Sequence, residues 1–259
     1  MITKNILQSR ISALAFAAIC ITLTGCQQIE QSSIAQTNNS NQAVVTTASP
    51  NSNNADNANA ANVNDDKISR SVSESYTGDL SIFESPERDK NLQISRVMDI
   101  LKIQPGSNVA DIGAGSGWFT TRAAKRIGSN GTVYAVEINQ EYLDYITERA
   151  KRENFPNIKT VLGTEDNPKL SDNSIDATLI LKSYHEIAQP VKVLVNLRKS
   201  MKPNGLLGII ERNGDGADHG INQDVVVKEA KKAGFEFVKS YDFVKPDGQD
   251  YFAVFRLKK

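Results

Sequence analysis

From Tyr76 onward the apolar positions alternate between a helical and a strand period. Leu92, Val97, Met98 and Leu101 recur at helical spacing, and Pro105-Gly106 stop that helix. Val109 to Ile112 predicts a short strand that runs into a glycine-rich turn. Helices are predicted over Phe119 to Ile127, Glu141 to Arg152, Val191 to Met201 and Gln223 to Ala233. Strands are predicted over Thr132 to Val136, Ile158 to Leu162, Ile175 to Leu181, Leu206 to Ile210, Phe235 to Val244 and Tyr251 to Leu257. Ile175 to Leu181 is apolar at nearly every position, as a strand buried on both faces must be. Alternating strands and helices predict an α/β fold. It is Rossmann-like and doubly wound, with a mostly parallel seven-stranded sheet closed by an antiparallel C-terminal hairpin.

The region before Tyr76 has a different texture. Lys4 and Arg10 precede an apolar run, Ile11 to Leu23, too short for a comfortable membrane span. It ends in Leu23-Thr24-Gly25-Cys26, which resembles the lipobox of bacterial lipoproteins. That resemblance implies a signal peptide over 1–25, cleavage before Cys26 and lipidation of Cys26. Gln27, rather than Asp, follows the cysteine, so the expected address is the periplasmic side of the outer membrane. Ten asparagines fall between Asn38 and Asn64, and no aromatic residue occurs between Phe16 and Tyr76. Such a segment buries too little apolar surface to offset its conformational entropy. The expected organisation is therefore signal peptide 1–25, tether 26–75 and folded domain 76–259.

Charge and cysteine content narrow the chemistry. Thirty Lys and Arg balance thirty Asp and Glu, which argues against a nucleic-acid-binding domain. The two cysteines, Cys20 and Cys26, both precede the folded part. A disulfide framework, a cysteine zinc site and a cysteine nucleophile are thereby excluded from it. No compact metal-ligand cluster is apparent in the sequence, and no metal is expected.

The chemistry starts at the first strand–turn–helix. Asp111-Ile112-Gly113-Ala114-Gly115-Ser116-Gly117-Trp118 puts three glycines between strand and helix. Glycines allow close backbone approach to a ligand, and a helix N-terminus offers free N–H groups. A dinucleotide turn spaces its glycines G-x-G-x-x-G; here Trp118 stands where the third belongs. With Asp111 just before the glycines, the turn resembles motif I of class I S-adenosylmethionine (SAM) methyltransferases. The second strand leads to Glu137, an acid 24 residues after Gly113, suited to two ribose hydroxyls. That carboxylate fits SAM and a nicotinamide dinucleotide alike. Ser174-Ile175-Asp176 resembles the entry to motif IV, and Tyr184-His185-Glu186 after the fourth strand looks like many small-molecule methyltransferases of this class.

The resemblance, to the methyltransferase domains carried by some bacterial lipoproteins, covers roughly Leu92 to Leu257. It implies a cofactor set of Asp111, Gly113, Ala114, Gly115, Gly117, Glu137, Ile138, Glu165, Asp166 and Leu181, with SAM as cofactor. Thr164 occupies the usual acidic position after the third strand, so Glu165 or Asp166 is left to meet the adenine amino group. Tyr184 and His185 are the candidate catalytic residues, as base or substrate-orienting groups. His219 lies in a polar loop after the fifth strand, also at the sheet's active edge, and reads as solvated. Arg88-Asp89 matches a pair found before the first helix in that group.

Methyl transfer to an unidentified small molecule is the expected activity. A noncatalytic binding lipoprotein on the same fold and a nicotinamide-dependent oxidoreductase are the alternatives. The conflict behind them is one of compartments: SAM is made in the cytoplasm, and the N-terminus directs the chain out of it. Arsenite methylation is disfavoured by the missing cysteines, and DNA methylation by neutral charge and the absence of Asn-Pro-Pro-Tyr after the fourth strand.

Overall fold

Parallel strands need crossovers, and in this chain each crossover is a helix whose ends the local sequence sets. The protein was studied as a computed structural model, and the structure describes residues 70–259. The expected signal peptide, Cys26 and most of the tether lie outside the described residues. The elements are β1 (Asn108–Ile112), β2 (Thr132–Glu137), β3 (Ile158–Leu162), β4 (Ile175–Leu181), β5 (Met201–Arg212), β6 (Phe235–Tyr241) and β7 (Asp250–Leu257). The helices are α1 (Arg88–Leu92), α2 (Ile94–Ile100), α3 (Trp118–Ile127), α4 (Gln140–Arg152), α5 (Pro190–Ser200) and α6 (Gln223–Lys232). Asn139 caps α4, its side chain accepting from the Glu141 amide at 2.9 Å, with Arg149, Lys151 and Arg152 in the last turn. Pro190 opens α5, where a missing N–H costs nothing.

The strands form one seven-stranded sheet in the order β3-β2-β1-β4-β5-β7-β6. The first five are parallel, and β7 runs antiparallel to both β5 and β6. Strand alternation sends side chains to two cores. Val109, Leu179 and Ile210 join the one beneath α2 and α3. Their neighbours Ala110, Ile180 and Ile209 join the one beneath α5 and α6. Chain order reverses between β1 and β4, so a crevice opens at their C-terminal ends.

Four expectations are corrected by longer-range packing. The first predicted helix is two, because Gln93 adopts φ 46° between α1 and α2. Pro203-Asn204-Gly205 does not break the chain: β5 begins at Met201, and the register shifts between its pairings to Ile175 and Ala177, so the turn-like triplet is absorbed as a bulge. β6 stops at Tyr241. Beyond it Gln93 donates to the Phe243 carbonyl at 3.0 Å, Arg96 lies over the Phe243 ring at 3.9 Å, and Val244 enters the core. Finally, packed chain includes residues 70–75, which the sequence places in the tether. Arg70 pairs with Glu229 at 3.2 Å and donates to the Tyr184 carbonyl. Buried Ser73 donates its amide to the His185 carbonyl and its hydroxyl to the Gly216 carbonyl at 2.6 Å.

Ser73→Ala should therefore destabilise the domain. Loss of a buried hydrogen bond costs about 1–1.5 kcal/mol, or about 2–6 °C in a chain of this size. An unchanged melting temperature would mean that residues 70–75 do not pack as described.

Candidate active site

The glycine turn after β1 is shaped by what surrounds it. Gly113 has φ +69°, and a Cβ there would sit 2.4 Å from Ser183 Oγ. The space is spent on Ser183, which donates to the Ile112 carbonyl at 3.0 Å and locks the end of β1 to the end of β4. Gly115 has φ +56°, and a Cβ there would meet only Phe83, 4.0 Å away. This glycine presents bare backbone to a cavity of about 750 Å³ over the C-terminal ends of β1, β2 and β4.

Two carboxylates face that cavity, Asp111 buried and Glu137 half-buried. Glu137, at the end of β2, accepts from the Gly115 amide at 2.7 Å with one oxygen and from its neighbour Ile138 at 3.2 Å with the other. Burial pushes its pKa up to about 7, against the pull of those two amides. Asp111, at the end of β1, accepts from Thr120 Oγ1 at 2.6 Å. Burial pushes it up to about 6, with Thr120 and the nearby Arg88 charge acting in the opposite sense. Each carboxylate retains acceptor capacity beyond the bonds it makes. Both groups can accept further donors, as a site for a ligand bearing donors should.

The far wall comes from the N-terminal arm. Tyr76, Phe83 and Arg88 line the cavity together with Tyr142 of α4. Tyr76 and Phe83 meet edge to face at 5.5 Å, and the Tyr142 hydroxyl donates to the Tyr76 carbonyl. Arg88 donates to the Phe83 carbonyl at 2.8 Å and lies over the Trp118 ring at 4.6 Å. Its neighbour Asp89 instead holds Arg122 outside. Glu84 anchors the arm to the glycine turn: it accepts from Ser116 Oγ at 2.7 Å and from both terminal nitrogens of Arg149.

Most of the expected cofactor set is brought together. Asp111, Gly113, Ala114, Gly115, Glu137, Ile138, Glu165 and Leu181 all line the cavity. Gly117 and Asp166 do not. Gly117, at φ +75°, lets Ile146 of α4 pack within 3.1 Å of its missing Cβ. Asp166 accepts from Thr164 Oγ1 at 2.8 Å and turns its carbonyl to Asn196.

The turn after β4 departs most from expectation. Tyr184 is fully buried in the core beneath α5 and α6, and its hydroxyl donates to Glu229 at 2.8 Å. It lies off the cavity wall, on the opposite side of a short 3₁₀ turn spanning Tyr184–Glu186. His185 is also buried and off the wall, its Nδ1 lying 3.0 Å from both oxygens of Glu211. The residue of the triplet that lines the cavity is Glu186, raised in pKa chiefly by burial. His185 Nε2 stands 3.8 Å behind it. The sequence places Glu186 at this strand end beside Tyr184 and His185 without giving it a catalytic role, and it does not point to Ser183, Tyr76, Phe83 or Tyr142. These are assembled by long-range packing.

The methyltransferase domain family model matches residues 103–240. An uncharacterized methyltransferase of Mycobacterium bovis is 31% identical over 124 residues, 48% of this chain and 47% of that protein. A demethylmenaquinone methyltransferase of Listeria welshimeri is 25% identical over 114 residues, 44% of this chain and 48% of its own length. The chain thus spans about half the length of these curated relatives. Among solved structures, a SAM-dependent methyltransferase from Aquifex aeolicus superposes with a TM-score of 0.62 at 23% identity, covering 71% of this chain and all of that one. The [4+2]-cyclase SpnF shares the fold too, with a TM-score of 0.57 at 14% identity over 74% of this chain and 87% of its own. Fold and family model agree: the chain belongs to the methyltransferase domain family, whose cofactor is S-adenosylmethionine.

Proposed function

We propose that this protein transfers the methyl group of SAM to a small-molecule acceptor, and that it does so as an exported protein anchored through a lipidated Cys26. One observation carries the catalytic part. Two carboxylates of raised pKa, buried Asp111 and half-buried Glu137, flank a glycine turn that opens onto a cavity of about 750 Å³. Asp111 would take the ammonium of the methionine end. Glu137 would take the two ribose hydroxyls, and Ile138 and Leu181 supply apolar walls for the adenosine. Glu165, on the rim, is the acid within reach of the adenine amino group.

SAM supplies a methyl carbon on a cationic sulfur, already activated for displacement. The protein's part is therefore alignment, exclusion of water and disposal of the acceptor's proton. Tyr76, Phe83, Tyr142 and Trp118 line an enclosing wall of size and character suited to a small, partly apolar acceptor. Glu186 offers a polar group after the end of β4, where an acceptor hydroxyl or amine finds a partner, while the Lys182 ammonium is paired with buried Asp250. His185 stands behind Glu186 rather than on this wall. Tyr184 is a structural residue in this reading, its hydroxyl committed to Glu229. The lipoprotein half rests on the run Ile11 to Leu23 and on Leu23-Thr24-Gly25-Cys26.

Turnover is tested with a panel of small phenols, quinols, amines and carboxylates, read as S-adenosylhomocysteine formed. At least one should turn over; failure of the whole panel despite SAM binding favours the noncatalytic alternative.

Two further outcomes follow from the carboxylates. SAM affinity, measured by equilibrium dialysis, should strengthen as pH rises from 5 to 8, because the ligand needs both acids ionised and they titrate near 6 and 7. Glu137→Gln should weaken binding about tenfold to a thousandfold, since it removes a charged acceptor of two hydrogen bonds. A flat pH profile together with a silent Glu137→Gln contradicts the pose.

Folding stability without ligand should move oppositely. A carboxylate whose folded pKa is raised is stabilising while protonated, and that contribution is lost as pH rises from the unfolded value through the folded one. For Asp111 and Glu137 the window runs from about 4 to about 7. Glu137→Gln should accordingly raise the melting temperature more at pH 8 than at pH 4.5; an equal effect at both would contradict the burial assigned to Glu137.

For the anchor, Cys26→Ser should shift the protein from the membrane to the soluble fraction or leave it unprocessed. A variant that fractionates like wild type disproves lipidation.

A further inference from the structure

The chain has only two histidines, and the fold brings them together. The rings of His185 and His219 stand at 86° with centroids 5.6 Å apart, although the residues come from the turn after β4 and the loop after β5. Glu186 completes the group. One ligand atom from each of His185, Glu186 and His219 lies within 4.8 Å of the other two. Two imidazoles and a carboxylate around one ion, bonded at about 2.0–2.2 Å each, hold their ligand atoms roughly 3–4 Å apart. His219 is exposed, so closing that gap by movement of its side chain meets little packing.

A second observation singles out His185 as a ligand in waiting. Glu211 is wholly buried, and both its oxygens lie 3.0 Å from His185 Nδ1. A carboxylate there fixes the proton on Nδ1, so Nε2 carries the lone pair, and Nε2 is the nitrogen turned toward Glu186. A buried carboxylate behind a histidine is the arrangement that orients metal-bound imidazoles and raises their basicity. Glu211 is itself fixed, accepting also from the Tyr184 amide at 2.9 Å. Glu186 has no lysine or arginine partner among the described residues; the groups near it include His185, His219, Ser75, Glu211 and, across the cavity, Glu137 and Tyr142. The loop carrying His219 is held in turn by Ser73, whose hydroxyl accepts from the His219 amide at 3.2 Å while donating to Gly216.

We infer that His185, Glu186 and His219 form a binding site for one divalent first-row transition ion of the zinc or iron type, with Glu211 as the outer carboxylate that positions His185. The donor set selects that class: imidazole and carboxylate without thiolate suit such ions, whereas an all-oxygen set would suit calcium or magnesium. Three protein ligands leave coordination positions open. Glu186 lines the cavity, so an ion held there stands at the cavity's edge. This consequence rests on the methyl-transfer reading. An acceptor hydroxyl bound to the ion is made more acidic and gives its proton to water. Its oxygen then bonds the methyl carbon as the carbon–sulfur bond breaks, the electron pair staying on sulfur to leave neutral S-adenosylhomocysteine. The ion thus does the work of a general base, which Tyr184, committed to Glu229, does not supply.

The test uses the full chain in detergent, without a histidine tag, stripped by a chelator and dialysed. Cobalt(II) is titrated and followed by its visible absorption, and zinc is titrated by calorimetry. One ion per chain should bind at about micromolar affinity or better. His219→Ala removes an exposed side chain, so the metal-free protein should melt as wild type while metal affinity falls at least about 100-fold. Glu211→Gln, which touches no ion, should weaken affinity about 10- to 100-fold. Absence of stoichiometric binding, or binding that His219→Ala leaves intact, overturns the inference and makes the cluster a hydrogen-bonded His–Glu–His group only. SAM binding to the stripped protein is measured alongside. SAM bound without metal binding defeats the metal site alone; metal bound without SAM binding defeats the methyl-transfer reading alone.

Discussion

The bond from the Gly115 amide to Glu137 is the contact on which the rest of the site depends. It reaches from the glycine turn after β1 to the end of β2, so two neighbouring parallel strands present one continuous polar edge. Both partners are costly to place. Gly115 sits at a positive φ, and Glu137 is buried enough to lift its pKa to about 7. Neither feature helps the empty fold, and both make sense for a ligand that brings hydrogen-bond donors and positive charge. Natural proteins concentrate such costs where function requires them.

A second polar axis runs through the opposite half of the sheet. Arg70, Tyr184 and Glu229 are linked by hydrogen bonds, and Glu211 at the end of β5 holds His185. These groups lie in or against the core beneath α5 and α6, where an unpaired charge would be expensive. Their mutual satisfaction fixes the turn after β4 and decides which of its side chains meets the cavity. The arm from Arg70 to Glu84 ties both halves together: Ser73 bonds to the β4 turn and the β5 loop, and Glu84 bonds to the glycine turn through Ser116 and to Arg149.

What could be read from the sequence was what local chemistry determines. The strand–turn–helix at Asp111 to Trp118 and the acid at Glu137 declared themselves by spacing, and the structure sets them on one cavity. The closing antiparallel pair followed from Pro246-Asp247-Gly248 between two apolar runs. Orientation after β4 did not follow. Tyr184, His185 and Glu186 are consecutive, and the single 3₁₀ turn they form sends the first into the core and the last to the cavity. Lys182 at φ 54° sets the start of that turn, a backbone state no pattern of side chains announces. The aromatic wall was equally hidden, because Tyr76 meets Tyr142 across 66 residues of chain. Nor could spacing show that His185 and His219, so far apart in sequence, face each other.

The central claim is that the cavity beside Glu137 is built for SAM rather than for a dinucleotide. Calorimetric titration of the full chain at pH 7.5 with S-adenosylhomocysteine and, separately, with NAD tests it most directly. The account predicts one site for S-adenosylhomocysteine per chain and no measurable heat of binding with NAD. Saturable binding of NAD, with none of S-adenosylhomocysteine, would contradict it.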